Sequence, residues 1–442
     1  MKVCQRWRYL ILGSASYLGL CLVCSPGTPV VEMLAHSPPF PLIVFHDDSN
    51  HALTPEDERQ IMFALEHRDR VRRICLIMPL PCLEKVIKAM EDEFPMLEYL
   101  QIAPPTRHNA HLALPATFRA PQLELLLLDH FASPIGSPLL TTATNLVWLV
   151  LRWIYPSTNL YPNDLLPALS LLPRLQNLII SFSSPVPNNE IKRHMLHTPN
   201  IIHTTLSNLR RFDFGGDSAY LEALVSHMNA PLLKRLSVNF FYQPIFSIPH
   251  LGQFVTTAED IRFSRVDFLF YHKAVVVFMY FSSSALSPTL DIRVDCEHLN
   301  GQVSSMVQIF NVLNPLFSTV VDLTLDYRSQ KPSLDQHNQS DRTQWRQLLG
   351  SFGNVRTLRV HDGLVGEVSH CLASDGEPVL EILPNLKTLV SSMGRSRDGD
   401  EKTFAKFVHD REVAGLPIDL IEDTFPEYTY RFKTAAGLEY VD

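Results

Sequence analysis

One pattern, apolar-x-x-apolar-x-apolar, recurs along this 442-residue chain and constrains its fold more than any other feature. It reads LEYLQI from Leu97, LELLLL from Leu123, LVWLVL from Leu146 and LQNLII from Leu175. It continues as LRRFDF from Leu209, LKRLSV from Leu233, VRTLRV from Val355 and LKTLVS from Leu386. Weaker copies start at Phe263 (FSRVDF), Thr289 (TLDIRV) and Val320 (VVDLTL). Successive starts lie 23 to 35 residues apart, which is room for one strand, one turn and one helix. Because side chains alternate along a strand, positions 1, 4 and 6 are predicted to face a core and positions 3, 5 and 7 an open concave face.

Several copies share a proline lead-in: FPMLEYL, APQLELL, LPRLQNL, APLLKRL and LPNLKTL. Proline has no N–H for a central ladder, so it belongs at the strand entrance. Helical periodicity fills the intervals. SAYLEALVSHM puts Leu221, Leu224, Val225 and Met228 on one face, with Ser218 as the expected N-cap. LEKVIKAMEDEF does the same with Val86, Ile87, Met90 and Phe94, and Thr54-Pro55 opens another helix as cap and first residue. A helix crossover between strands forces parallel pairing. The predicted fold is therefore α/β, a leucine-rich-repeat solenoid with a curved parallel sheet and helices on its convex side. The array is expected over residues 31–442, with polar loop insertions near 326–345 and 391–403, after a separate segment at 1–30.

Composition narrows the function. Apolar residues make up 46% of the chain and charged ones 19%, enough for a packed core. The net charge of −8 argues against nucleic acid as a partner. The basic run HRDRVRR, His67 to Arg73, is expected at the solvated C-terminal end of a helix, where cations are favoured. Seven irregularly spaced cysteines do not form a disulfide framework; they fit a reducing compartment and small buried thiols, Cys21-x-x-Cys24 included. No apolar run reaches the ~20 residues of a membrane-spanning helix. The stretch from Leu10 to Cys24, with Lys2, Arg6 and Arg8 before it, has the charge layout of a secretory signal but no small-x-small cleavage site after it.

No nucleotide-binding, zinc-protease or nucleophile-elbow motif occurs. His194 and His197 have ligand-like spacing but no cysteine or paired carboxylate beside them, so a surface helix is expected. The sequence thus assigns no catalytic residue, no cofactor and no metal ligand. What it offers is the open strand face. Early copies present Tyr99, Leu127 and Trp148; later ones present Arg211, Asp213, Arg235, Arg265, Asp267, Asp291, Arg293 and Asp322. With neighbouring strands ~4.8 Å apart, Arg211, Arg235 and Arg265 are expected to form a basic ladder that passes into Asp291 and Asp322. Trp and Arg anchors beside an apolar patch point to a protein partner. The plainer alternative is that the Arg and Asp columns neutralise one another.

The repeats, with SAYLEALVSHMNAPLLKRLSVNFFYQPIFSIPHLGQF (Ser218 to Phe254) and FAKFVHDREVAGLPIDL (Phe404 to Leu420), closely resemble the F-box-like leucine-rich-repeat proteins abundant in mushroom-forming fungi. By that resemblance, VCQRWRYLILGSASYLGLCLVC looks like the later half of an F-box, a short helical remnant at 1–30, with the earlier Leu-Pro half absent. Val3, Cys4, Trp7, Leu18 and Leu20 would then dock a Skp-type adaptor. The resemblance implies a substrate-receptor subunit of a cullin-type ubiquitin ligase, cytoplasmic or nuclear, without a membrane or nucleic-acid partner. Its repeats would hold a protein substrate. Two alternatives stand beside it: a repeat scaffold that has lost adaptor docking, and a secreted repeat protein.

Overall fold

A computed structural model describes residues 20–48, 52–106, 112–132, 134–156, 160–187, 203–257, 262–281, 289–328, 339–372, 382–392 and 401–422. The chain forms two compact units, residues 1–261 and 262–442. Both are α/β, and their sheets are mostly parallel.

The first unit holds strands β1 (Leu22–Cys24), β2 (Leu42–Asp47), β3 (Val71–Ile77), β4 (Tyr99–Ala103), β5 (Leu125–Asp129), β6 (Trp148–Ile154) and β7 (Asn177–Phe182). It continues with the two-residue β8 (Thr204–Thr205), then β9 (Arg211–Gly216), the two-residue β10 (Met228–Asn229) and β11 (Arg235–Phe240). Sequence neighbours pair in parallel from β1 through β7 to β9 and β11, while β8 and β10 pair with each other. The helices are α1 (Val30–His36), α2 (Pro55–Glu66), α3 (Leu80–Ala89), α4 (Pro138–Thr142), α5 (Pro162–Ser170), α6 (Ser218–Val225) and α7 (Pro249–Thr256).

In the second unit, β12 (Phe263–Phe270), β13 (Ala274–Phe281) and β14 (Leu290–Asp295) form an antiparallel meander. Strands β15 (Asp322–Tyr327), β16 (Thr357–His361), β17 (Thr388–Ser392) and β18 (Asp419–Glu422) then add in parallel beside β12. Helices α8 (Leu299–Leu313), α9 (Gln339–Gly350), α10 (Val365–Leu372) and α11 (Glu401–Val413) pack each on the next.

The predicted core positions hold in every copy, but several open-face positions are buried as well: Val150, Asp267, Asp291, Thr324 and Val390. Positions 1, 4 and 6 of all eleven copies are buried, including the polar Thr289 and Ser391. Each fully buried Leu there contributes roughly 1.5–3 kcal/mol. In the second unit the same core is aromatic: Phe310 stacks on Phe317 with centroids 4.5 Å apart, Phe268 lies 5.1 Å from Phe310, and Trp345 lies 5.6 Å from Phe270.

The proline lead-in has a different cause from the one expected. The amide of position 1 bonds the carbonyl three residues back, as in Leu97 to Phe94 (3.2 Å), Leu123 to Ala120 (3.1 Å), Leu175 to Leu172 (3.2 Å), Leu233 to Ala230 (3.1 Å) and Leu386 to Leu383 (3.0 Å). Pro95, Pro121, Pro173, Pro231 and Pro384 occupy the second position of these turns, where their fixed φ fits a type I geometry. An asparagine just before position 1 ties one turn to the previous one. Asn208 donates to the Pro173 carbonyl (2.8 Å), Asn354 to Ser318 (2.6 Å) and Asn385 to Gly353 (2.9 Å).

Several local expectations change. The β13 strand was not legible as a repeat, and its antiparallel pairing breaks the all-parallel order. AVVVFMYF has no alternation because it is buried almost throughout, and three residues, 271–273, suffice to reverse the chain. Strands β2 and β3 also extend the sheet ahead of Leu97. HRDRVRR is a helix end only at its start: His67 is the C-cap of α2, and from Val71, at 0% exposure, the run is strand β3. The α6 cap position is Asp217, with Ser218 the first helical residue, and Met228 lies past the helix in β10. Thr54 caps α2 as expected, in a reciprocal pairing with Asp57. The polar window 326–345 is loop only in part. Asp326 and Tyr327 finish β15, and Gln339 opens α9, which Trp345, Leu348 and Leu349 anchor in the core. In the other window, Ser391 and Ser392 finish β17 and Glu401 opens α11.

Candidate functional site

The face of the first unit's sheet opposite its buried positions carries two side-chain rows. In strand register, position 3 runs Arg73, Tyr99, Leu125, Trp148, Asn177, Arg211, Arg235. Position 5 runs Phe45, Cys75, Gln101, Leu127, Val150, Ile179, Asp213, Ser237. Leu125, Leu127, Trp148 and Ile179 are half-buried, and Phe45 is exposed. The structure thus brings Tyr99, Leu127 and Trp148 together on one side, as expected. The Tyr99 hydroxyl donates to Gln101 Oε1 at 2.6 Å, and burial raises the Tyr99 pKa above the usual phenol value.

The charged residues follow the plainer alternative. Arg211 grips Asp213 through Nε at 2.9 and 3.0 Å. Arg265 does the same to Asp267 at 2.8 Å, and Arg293 to Asp295 at 2.8 Å. The spacing explains this: residues i and i+2 share a face of one strand, so Arg-x-Asp neutralises itself. Asp322 pairs with Arg359 at 3.3 Å across strands. Arg211 does lie opposite Arg235 in the ladder, as expected. The continuation to Arg265 fails. Arg265 belongs to the second unit, where its register partners are Tyr280 and Asp322, and its guanidinium lies over the Tyr280 ring at 5.4 Å.

The second unit's corresponding face is not open over its first strands. Asp267 is 2% exposed, Asp291 9% and Thr324 6%, beside an apolar cluster of Leu269, Val276, Phe278 and Tyr280. Arg293 alone on β14 is exposed, its side chain about half accessible. His361 sits beside Asp326, Arg328, Asp267 and Arg359; burial lowers its pKa, against the pull of Asp326.

Val3, Cys4, Trp7 and Leu18, expected to dock an adaptor, lie outside the described residues, as do His194 and His197. Leu20 is half-buried immediately before β1. The described end of the expected helical remnant is a strand: Leu22–Cys24 pairs in parallel with Leu42–Val44. Burial raises the Cys24 and Cys75 thiols to about 11 and Cys371 to about 12, so they are protonated at neutral pH. None of the six cysteines among the described residues forms a disulfide. No group of three His, Cys, Asp or Glu side chains there could hold a metal, and no helix there is long and apolar enough to cross a membrane.

Two features escaped the sequence reading. Arg152 holds Asp129 at 2.8 and 3.0 Å from the next strand, a pairing visible only once register is known. Burial nevertheless raises the Asp129 pKa, opposed by Arg152. The second is a charged rim at position 2, linked strand to strand by backbone bonds: Arg72, Glu98, Glu124, Val147, Gln176, Arg210, Lys234. Neither a family model nor a curated protein matches this chain.

Proposed function

We propose that the chain is a non-catalytic protein-interaction scaffold, built of leucine-rich repeats, that serves as an F-box-like substrate receptor of a cullin-type ubiquitin ligase. The observation that carries the scaffold reading is the first unit's strand face, where Tyr99, Leu127, Trp148 and Ile179 line up in adjacent registers without covering one another fully. Half-buried aromatic and aliphatic side chains on a rigid sheet are what protein hot spots use. The ligase reading rests on the resemblance of Ser218–Phe254 and Phe404–Leu420 to that family. A cytoplasmic or nuclear site is supported by six cysteines among the described residues that form no disulfide.

One observation favours a second reading, a repeat scaffold without ligase coupling: Leu22–Cys24 is built into the sheet rather than into a helical docking unit. Mixing the purified chain with a purified Skp-type adaptor on a sizing column separates the two. Co-elution is expected of the receptor; separate elution leaves the uncoupled scaffold.

A further inference from the structure

The rim of the first unit's open face is electrically polar. At one end Glu124 is exposed and Glu98 is paired with Arg72 at 2.7 Å. At the other, Arg210 and Lys234 are both exposed, and among the described residues no ion pair engages either. Arg211 and Arg235 stand directly beside them, opposite each other in the ladder. Like charges opposite one another destabilise a sheet. Arg211 is held by Asp213 in its own strand, which leaves Arg210 and Lys234 as the exposed cations of this end. A local excess of cations is unexpected in a chain with net charge −8. Between the two ends lie Val147 and Gln176, and above them the apolar rows.

We infer that this face takes an extended polypeptide segment, apolar where it lies over Leu125, Leu127, Trp148 and Ile179 and acidic at the end that reaches Arg210 and Lys234. The inference rests on the docking reading above and adds the chemistry and direction of the partner. The shape supports a single extended chain. The apolar residues cross three strand steps, from Tyr99 to Ile179, and the whole face from Glu98 to Lys234 crosses five, roughly 24 Å at ~4.8 Å per step. An extended chain covers that with about seven residues at ~3.3 Å each. Arg210 and Lys234 would draw the segment's carboxylates to their end and so fix which end goes where.

The test is selection of binders from a random display library of about 12-residue peptides against the full chain, a length that covers the roughly seven-residue span with flanking residues on both sides. The selected peptides are then measured on three variants: Arg210→Glu with Lys234→Glu, Leu127→Glu, and the milder Trp148→Ser. Peptides that join aromatic or aliphatic residues to an Asp/Glu end, weaken by about tenfold or more on the double charge reversal and lose affinity with salt, support the inference. Peptides without an acidic end that respond to Leu127→Glu and Trp148→Ser but not to the charge reversal overturn it and leave the docking reading standing. Peptides indifferent to all three variants, or no enrichment at all, overturn both.

Discussion

Leu126 and Leu127 are adjacent in β5, yet the structure gives them opposite fates. Leu126 is 0% exposed and lies in register with Leu100 and Leu149, each also 0% exposed. Leu126→Ala removes the transfer energy of the lost methylenes and leaves a cavity closed on all sides, a cost of roughly 3–5 kcal/mol. Leu127→Ala loses part of the same transfer energy, about 1–2 kcal/mol, but water fills the space it leaves. The difference, about 2 kcal/mol, shifts a melting midpoint by roughly 4–8 °C in a unit of this size. Denaturant titrations of both variants, followed by far-ultraviolet circular dichroism, measure it. Equal losses, or a larger loss for Leu127→Ala, would mean that the face carrying Tyr99, Leu127 and Trp148 is covered, and the docking argument would fall with it.

Arg411, 1% exposed in α11, donates to the carbonyls of Leu383 (3.2 Å), Pro384 (3.2 Å) and Leu386 (3.3 Å) and lies over the Phe407 ring at 5.8 Å. Arg411→Met removes these charge-assisted bonds at a cost of roughly 2–4 kcal/mol, and hydrogen exchange should quicken in β17 and β18 while the first unit is unchanged. The asparagine ties predict that Asn354→Ala and Asn385→Ala each cost about 0.5–1.5 kcal/mol in a denaturant titration, with Gln no substitute because its amide sits one methylene too far out. Thiol burial predicts a pH effect. Unfolded thiols ionise near ~8.5, whereas Cys24 and Cys75 stay protonated up to about 11 and Cys371 to about 12. Above the unfolded value the native state therefore binds more protons, and stability falls as pH rises from there through the folded values. Cys371→Ala should flatten part of that fall; an unchanged slope would show that other groups cause it.

The strand core was legible because its period is short and its chemistry apolar: positions 1, 4 and 6 need only alternation to be assigned. The antiparallel β13 was hidden for the opposite reason, since AVVVFMYF is buried on both faces and carries no alternation to read. Long-range pairing was less legible still. The Asp129–Arg152 pair and the Asn385–Gly353 tie join residues more than 20 apart, and nothing local marks them. The open face of the first unit was visible in outline, because Tyr99, Leu127 and Trp148 stand at alternating positions. Its charge was legible only as two alternatives, a basic ladder or columns that neutralise one another, and side-chain geometry decides for the second, with Arg211 held by Asp213 and, in the second unit, Arg265 by Asp267.

The central claim, that the first unit's strand face is where a protein partner docks, is tested most directly by binding affinity on matched surface variants. The partner recovered with the full chain would be titrated against Trp148→Glu and, as a control, against Arg59→Glu on the exposed side of α2, both checked for native unfolding midpoints. The account predicts a loss of about tenfold or more for Trp148→Glu and none for the control. Unchanged affinity for Trp148→Glu, with loss at Arg59→Glu, would place the partner on the helices and contradict it.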